Sequence, residues 1–150
     1  MRHSTRTVLV AALALTIASL VPGNGGCGSA SSEEQQAYDT MATLKTVEEF
    51  EEHVEQASRP VLVDFYAPWC MPCKRLAPTI GSLALEYGDY VDFYRINTDK
   101  ADKLAEAMNI RSIPTVFVYA NGEPIHKSGP ASREAFAAAL ERALQETGAQ

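Results

Sequence analysis

Val61-Leu62-Val63-Asp64-Phe65-Tyr66-Ala67-Pro68-Trp69-Cys70-Met71-Pro72-Cys73-Lys74 is the stretch from which the fold can be read. Its first six residues are β-branched, aromatic or leucine around a single carboxylate, bounded by Pro60 and Pro68, which predicts a short buried strand. Beyond the two cysteines, Leu76, Ile80, Leu83, Ala84 and Tyr87 recur at helical spacing until Gly88. The cysteines therefore stand where a strand gives way to a helix. There the two sulfurs can close a small disulfide loop, and the first thiol lies near unsatisfied backbone N–H groups and the positive end of the helix dipole. Both features favour the thiolate, lowering its pKa from about 8.5 into roughly the 3.5–7.5 range of such motifs. Pro72 suits a first helical turn, where no hydrogen-bond donor is lost, and it stiffens the loop. Two plainer readings exist, half of a metal site or a structural staple. A structural zinc takes four ligands. Past Cys27 only Cys70 and Cys73 are cysteines, and His53 and His126 lack ligand spacing. Placement between strand and helix favours a redox pair, and no metal is expected.

Working outward, Thr46-Val47-Glu48-Glu49 has the form of a capping box. Val47, Phe50, Val54 and Ala57 then mark a helix that Pro60 stops. After the central helix, Val91 to Asn97 reads as a strand, Ala101, Leu104 and Met108 as a helix, and Thr115 to Tyr119 as another strand. Asn121-Gly122 is a hairpin signal leading into Ile125 to Ser128, and Pro124 places that last strand at an edge. Gly129 and Pro130 break the chain before Ser132 caps a final helix carrying Phe136, Leu140, Ala143 and Leu144. Strand–helix alternation gives parallel pairing through crossovers, and the hairpin adds an antiparallel edge. The expected fold is α/β, a three-layer α/β/α sandwich with a mixed central sheet.

The N-terminal residues differ from the rest. Arg2, His3 and Arg6 precede an apolar run from Val8 to Val21, with no acidic residue before Glu33. Fourteen residues are short of the roughly 20 a membrane span needs and suit the core of a secretory signal. Residues 1–26 are read as that signal. Gly25-Gly26-Cys27 resembles the end of a bacterial lipoprotein processing box, making Cys27 the candidate for lipidation, although Asn24 stands where an aliphatic residue is usual. Cleavage after Ala30 is the rival site, because Gly28-Ser29-Ala30 follows the small-x-small rule. Residues 27–42, polar and acidic from Ser29 to Thr40 without apolar periodicity, are expected to form a flexible tether. Residues 43–148 then form one domain, in keeping with 150 residues and 46% apolar composition. The net charge of −6 falls to −8 once Arg2 and Arg6 leave with the signal, which argues against nucleic acid as a partner.

The quoted stretch resembles the active-site strand and turn of the thioredoxin family. Ile113-Pro114-Thr115 resembles that family's cis-proline loop, and Asn121-Gly122 its hairpin. The likeness covers roughly Leu44 to Leu144, and Pro114 follows Cys73 by 41 positions, the compact thioredoxin layout. Met71 departs from the glycine usual there, which leaves substrate range and redox poise open.

The resemblance implies a thiol–disulfide oxidoreductase needing no bound cofactor, since its electrons reside on the Cys70–Cys73 disulfide pair. Cys70 is the expected nucleophile, and Cys73, one turn further in, the more buried resolving partner. Asp64 interrupts an apolar strand. It is either a carboxyl pushed toward neutrality by burial and fit for proton transfer, or one side of an ion pair with Arg95 or Lys74. The resemblance assigns it proton transfer at the inner cysteine. It also implies that Pro114 is cis, baring the Ile113 backbone beside Cys70 for an added client strand. Trp69 and Gly129 would complete the docking rim, though Trp69 also suits plain packing. The implied partners are client proteins bearing disulfides. A reductase outside the cytoplasm would also need a membrane thiol carrier as electron source. The expected molecule is an exported monomer, membrane-anchored if Cys27 is lipidated. Two alternatives stay open, a disulfide oxidase or isomerase and a thiol-independent holdase.

Overall fold

The computed structural model describes residues 32–149. The signal, Cys27 and the two cleavage sites lie outside the described residues. The elements in chain order are α1 (Ser32–Thr40), β1 (Ala42–Thr43), α2 (Val47–Phe50) continued by a π-helical turn (Glu51–Glu55), β2 (Val61–Tyr66) and α3 (Met71–Tyr87). They are followed by β3 (Asp92–Asn97), α4 (Asp102–Ala107), β4 (Thr115–Ala120), β5 (Glu123–Ser128) and α5 (Arg133–Thr147). The strands form one sheet in the order β1-β3-β2-β4-β5. β3 runs parallel to β1 and β2, while β4 is antiparallel to β2 and β5. The expected mixed sheet is present, with β5 at its edge. Pro124 lies there opposite Tyr119, next to a register shift, where a missing N–H interrupts nothing.

Alternation along the strands sorts the core into two layers. Leu62, Val116 and Val118 pack with Tyr38 of α1, Leu76 and Ile80 of α3 and Phe136 of α5 on one face. Val61, Val63, Phe65, Phe117 and Tyr119 pack with Phe50, Val54 and Leu104 on the other. α1, α3 and α5 thus cover one side of the sheet, and α2 and α4 the other. Asp64, two residues from Leu62, belongs to the α1–α3–α5 side.

The local signals act much as their chemistry requires. Thr46 Oγ1 accepts the Glu49 N–H at 3.1 Å, while the Glu49 carboxylate reaches back to the Lys45 N–H at 2.7 Å, one residue earlier than a standard capping box. Ser132 caps α5 by accepting from Ala135 N. At the hairpin Asn121 and Gly122 take φ of 52° and 78°, the left-handed pair a tight two-residue turn needs.

One expectation fails. Within the span read as a flexible tether, residues 32–40 form helix α1, and Ala42–Thr43 pair with β3. The helix is polar almost throughout, so no apolar period marks it, but its single buried residue, Tyr38, anchors it in the core beneath α3. It sits close enough that a Cβ on Gly81 would lie 1.8 Å from the Glu34 carbonyl oxygen. The folded unit therefore includes α1, ahead of residue 43.

Gly122 is needed twice over, for its left-handed φ and because a Cβ there would lie 2.0 Å from the Glu55 carbonyl oxygen. Gly122→Ala is expected to lower stability in urea denaturation by about 2–3 kcal/mol. A loss of only about 1 kcal/mol, which the left-handed backbone alone accounts for, would contradict the close approach.

Candidate functional site

β2 ends at Tyr66, and the chain turns through Ala67–Trp69, with Cys70 N–H donating to the Ala67 carbonyl at 3.1 Å. Cys70 is the N-cap of α3, with φ −75° and ψ 104°, and its Sγ accepts the Cys73 N–H at 3.2 Å. One orphan donor of the first turn is thereby satisfied by sulfur. Met71 and Pro72 occupy the first two helical positions. Cys70 and Cys73 are joined in a disulfide with their Cα atoms 5.3 Å apart. In the oxidised state the two are buried almost alike, Cys70 4% and Cys73 3% exposed. A disulfide closed across a helix N-terminus is a two-electron couple whose reduced form keeps one sulfur where positive dipole charge favours the thiolate.

The Ile113–Pro114 peptide is cis, and Ile113 packs with Tyr66 against Ala67, Cys70 and Cys73. Gly129 lies beside this loop, its Cβ direction 3.7 Å from the Pro114 carbonyl oxygen. Trp69 and Met71 flank the disulfide and stand out from the surface at 67% and 57% exposure. Trp69 is held outward by donation from its Nε1–H to Asp99 Oδ2 at 2.9 Å. The sequence-selected residues Trp69, Cys70, Met71, Pro72, Cys73, Ile113, Pro114 and Gly129 thus gather at one end of the sheet, near the end of β2 and the start of β4.

Asp64 is 1% exposed. Neither Arg95 nor Lys74 forms an ion pair with it among the described residues, and Arg95 pairs with Asp39 instead. Its partner is Tyr38, whose hydroxyl donates to Oδ2 at 2.6 Å, and Oδ1 has no hydrogen bond among the described residues. Burial pushes the Asp64 carboxyl up to about 6, against the opposing pull of the Tyr38 hydrogen bond and the Arg95 charge. Burial, with the Asp64 charge behind it, raises the Tyr38 hydroxyl far above its ordinary value, so it stays a donor. Arg95, opposite Asp64 in the β2–β3 register, lies over the rings of Tyr38 and Tyr66 at 4.8 and 5.3 Å from their centroids. A cleft of about 420 Å³ opens among Tyr38, Tyr66, Pro68, Cys73, Lys74 and Arg95. Tyr38 thus touches both the carboxyl and the cleft that reaches Cys73. Sequence reasoning missed it, because a lone tyrosine in a polar segment carries no periodic signal.

The other titratable candidates are engaged elsewhere. His53 packs on Tyr94, and His126 on Phe136 with its Nε2 near Ser128 Oγ. Among the described residues no three His, Cys, Asp or Glu side chains are placed to hold a metal, and no helix is long and apolar enough to cross a membrane.

The Thioredoxin family matches residues 41–142. An M-type chloroplastic thioredoxin of Spinacia oleracea is 43% identical over 105 residues, 63% of this chain and 58% of that protein. Thioredoxin 1 of Synechococcus elongatus is 40% identical over 86 residues, 57% of this chain and 80% of that protein. This chain therefore spans less than two thirds of the spinach relative. Among solved structures, oxidised mitochondrial thioredoxin 3 from Saccharomyces cerevisiae superimposes with a TM-score of 0.64 at 27% identity. That match covers 71% of this chain and 98% of the yeast chain.

The raised Asp64 value carries a stability consequence of definite sign. The folded carboxyl binds its proton more tightly than the unfolded one, at about 6 against 3.8. Its unfavourable contribution is absent below about pH 4, grows as pH rises, and is complete above about pH 6. Asp64→Asn keeps an oxygen for Tyr38 and removes the charge. It is expected to stabilise the fold by roughly 2–3 kcal/mol at pH 8 and by little at pH 4. Thermal melts at the two pH values check this, and an equal gain at both would contradict it.

Proposed function

The chain belongs to the thioredoxin family, and from that premise we propose that it is a protein thiol–disulfide oxidoreductase working through Cys70 and Cys73. The observation that carries the proposal is the disulfide at the N-terminus of α3, with Cys70 sulfur in the N-cap position. In the reduced protein, Cys70 thiolate attacks one sulfur of a client disulfide. A mixed disulfide forms and the client's other sulfur leaves as thiolate. Cys73, deprotonated with Asp64 as proton acceptor, then attacks Cys70 Sγ. The Cys70–Cys73 bond forms, the second client sulfur departs, and two electrons have passed from protein to client. The client's main chain lies along Ile113 and Pro114 as an added strand, with Trp69, Met71 and Gly129 at its margins. The cavity-side position of Cys73 and the N-cap position of Cys70 support this division of labour.

The direction proposed is reduction. The compact spacing of the motifs and the likeness to proteins named thioredoxins support it. We further propose that residues 1–26 direct export and that Cys27 carries a lipid, with a membrane thiol carrier as electron source. The apolar run Val8–Val21 and the small residues before Cys27 support this.

Cys73→Ser is expected to accumulate covalent client adducts through Cys70, visible by non-reducing electrophoresis, whereas Cys70→Ser accumulates none. Trapping by Cys70→Ser alone would reverse the roles, and full cellular activity in the double Cys70→Ser, Cys73→Ser variant would favour a holdase instead. Equilibration with glutathione is expected to give a potential below about −240 mV, nearer thioredoxin's roughly −270 mV than the roughly −180 mV of disulfide isomerase. A value near the latter would favour oxidation or isomerisation. Mass spectrometry of the mature protein is expected to find a lipidated N-terminal Cys27, and an unmodified start at Ser31 would exclude the anchor.

A further inference from the structure

Helix α1 lies ahead of residues 41–142, the span that matches the family, yet among the described residues it supplies the one hydrogen bond to the buried carboxyl of the site. Tyr38 is 4% exposed, its ring meets Tyr66 edge-on at 6.2 Å, and it lines the cleft that reaches Cys73. The helix is seated by two further contacts. Arg95 Nη2 donates to the Asp39 carbonyl at 3.0 Å, and the backbone at Glu34 approaches Gly81 of α3 too closely for any side chain there.

We infer that Tyr38 is a positioning residue for the resolving step, its hydroxyl holding the Asp64 carboxyl in the orientation and charge state from which it accepts the proton of Cys73. The inference rests on the proton-acceptor role proposed for Asp64. The groups around that carboxyl come from every packed element. α1 contributes Tyr38, with Asp39 beyond it. β3 contributes Arg95, and β4 only the apolar Val116 in register. α3 contributes Cys73 and Lys74 to the cleft that Tyr38 lines, and Tyr66 at the end of β2 lines it too. Of these, the Tyr38 hydroxyl alone donates a hydrogen bond to Asp64, and it favours the ionised form. Without it, burial acts with only Arg95 in opposition. A helix ahead of the family-matched span thereby sets the pH range over which the thiol chemistry turns over.

The test uses the full chain with carboxyl-labelled aspartate, following Asp64 by carbon-13 NMR. Single-turnover release of client from the Cys70 mixed disulfide is measured alongside, between pH 5 and pH 9. Tyr38→Phe is expected to move the Asp64 midpoint upward by about one unit. The rise of the resolution rate should follow it, giving a rate about fivefold lower at pH 6 and nearly unchanged at pH 8.5. Gly81→Ala, which pushes α1 outward while leaving Tyr38 and Asp64 intact, is expected to move both midpoints in the same direction. If Tyr38→Phe melts at lower temperature but leaves both midpoints in place, Tyr38 is a packing residue and the inference is overturned. Asp64→Asn resolving at the unsubstituted rate across the whole pH range would overturn the proton-acceptor role itself. That result is read without Tyr38 and stays distinct from the first.

Discussion

A central strand hydrogen-bonded on both edges and covered on both faces has no solvent side, and β2 is such a strand. Its residues must be apolar to the front and to the back, so the chain leaves it abruptly, at the end of the apolar run. The first backbone free of the sheet is the turn that delivers Cys70 to the head of α3. Ligands and chemistry in α/β sheets gather beyond the carboxyl ends of the strands for this reason. Here the cis-proline loop, arriving antiparallel at the start of β4, closes the same end from the other side.

Asp64 is the exception that the strand tolerates. A carboxyl placed among Leu62, Val116 and the helices of its face loses its hydration and recovers part of that loss from one short hydrogen bond and a cation in the adjacent strand. The second oxygen has no hydrogen bond among the described residues. Such partly satisfied groups weaken a fold, and they cluster at functional sites. The ring stack of Tyr38, Arg95 and Tyr66 keeps the cation beside the carboxyl without neutralising it outright.

Local chemistry written in adjacent residues was legible before any coordinates. The alternation in β2, the left-handed pair Asn121-Gly122, the caps at Thr46 and Ser132 and the cysteine pair each draw their meaning from neighbours within a few positions. α1 is held by Tyr38, Gly81, Asp64 and Arg95, which span 57 positions of chain, and none of these residues advertises the others. A nine-residue polar helix with a single buried side chain has no period to detect, and at two residues β1 is too short to show alternation. The π-helical turn after α2 left no mark in the apolar spacing either, since Val54 reaches the core regardless. The burial of the carboxyl was legible, whereas its partner was not, because burial of Asp64 follows from its strand and the choice of Tyr38 follows from tertiary contact.

The early start of α1 has a consequence for any attachment at Cys27. Only Gly28 to Ser31 separate that residue from the first helical one, and four residues reach roughly 14 Å at full stretch. That is about one radius of gyration for a domain of this size. On the lipid-anchored proposal the protein would therefore hug the bilayer, unable to swing clear of it. Its clients would be those that pass along the membrane surface or emerge from it, and mobility in the plane, more than length of leash, would govern which disulfides it meets.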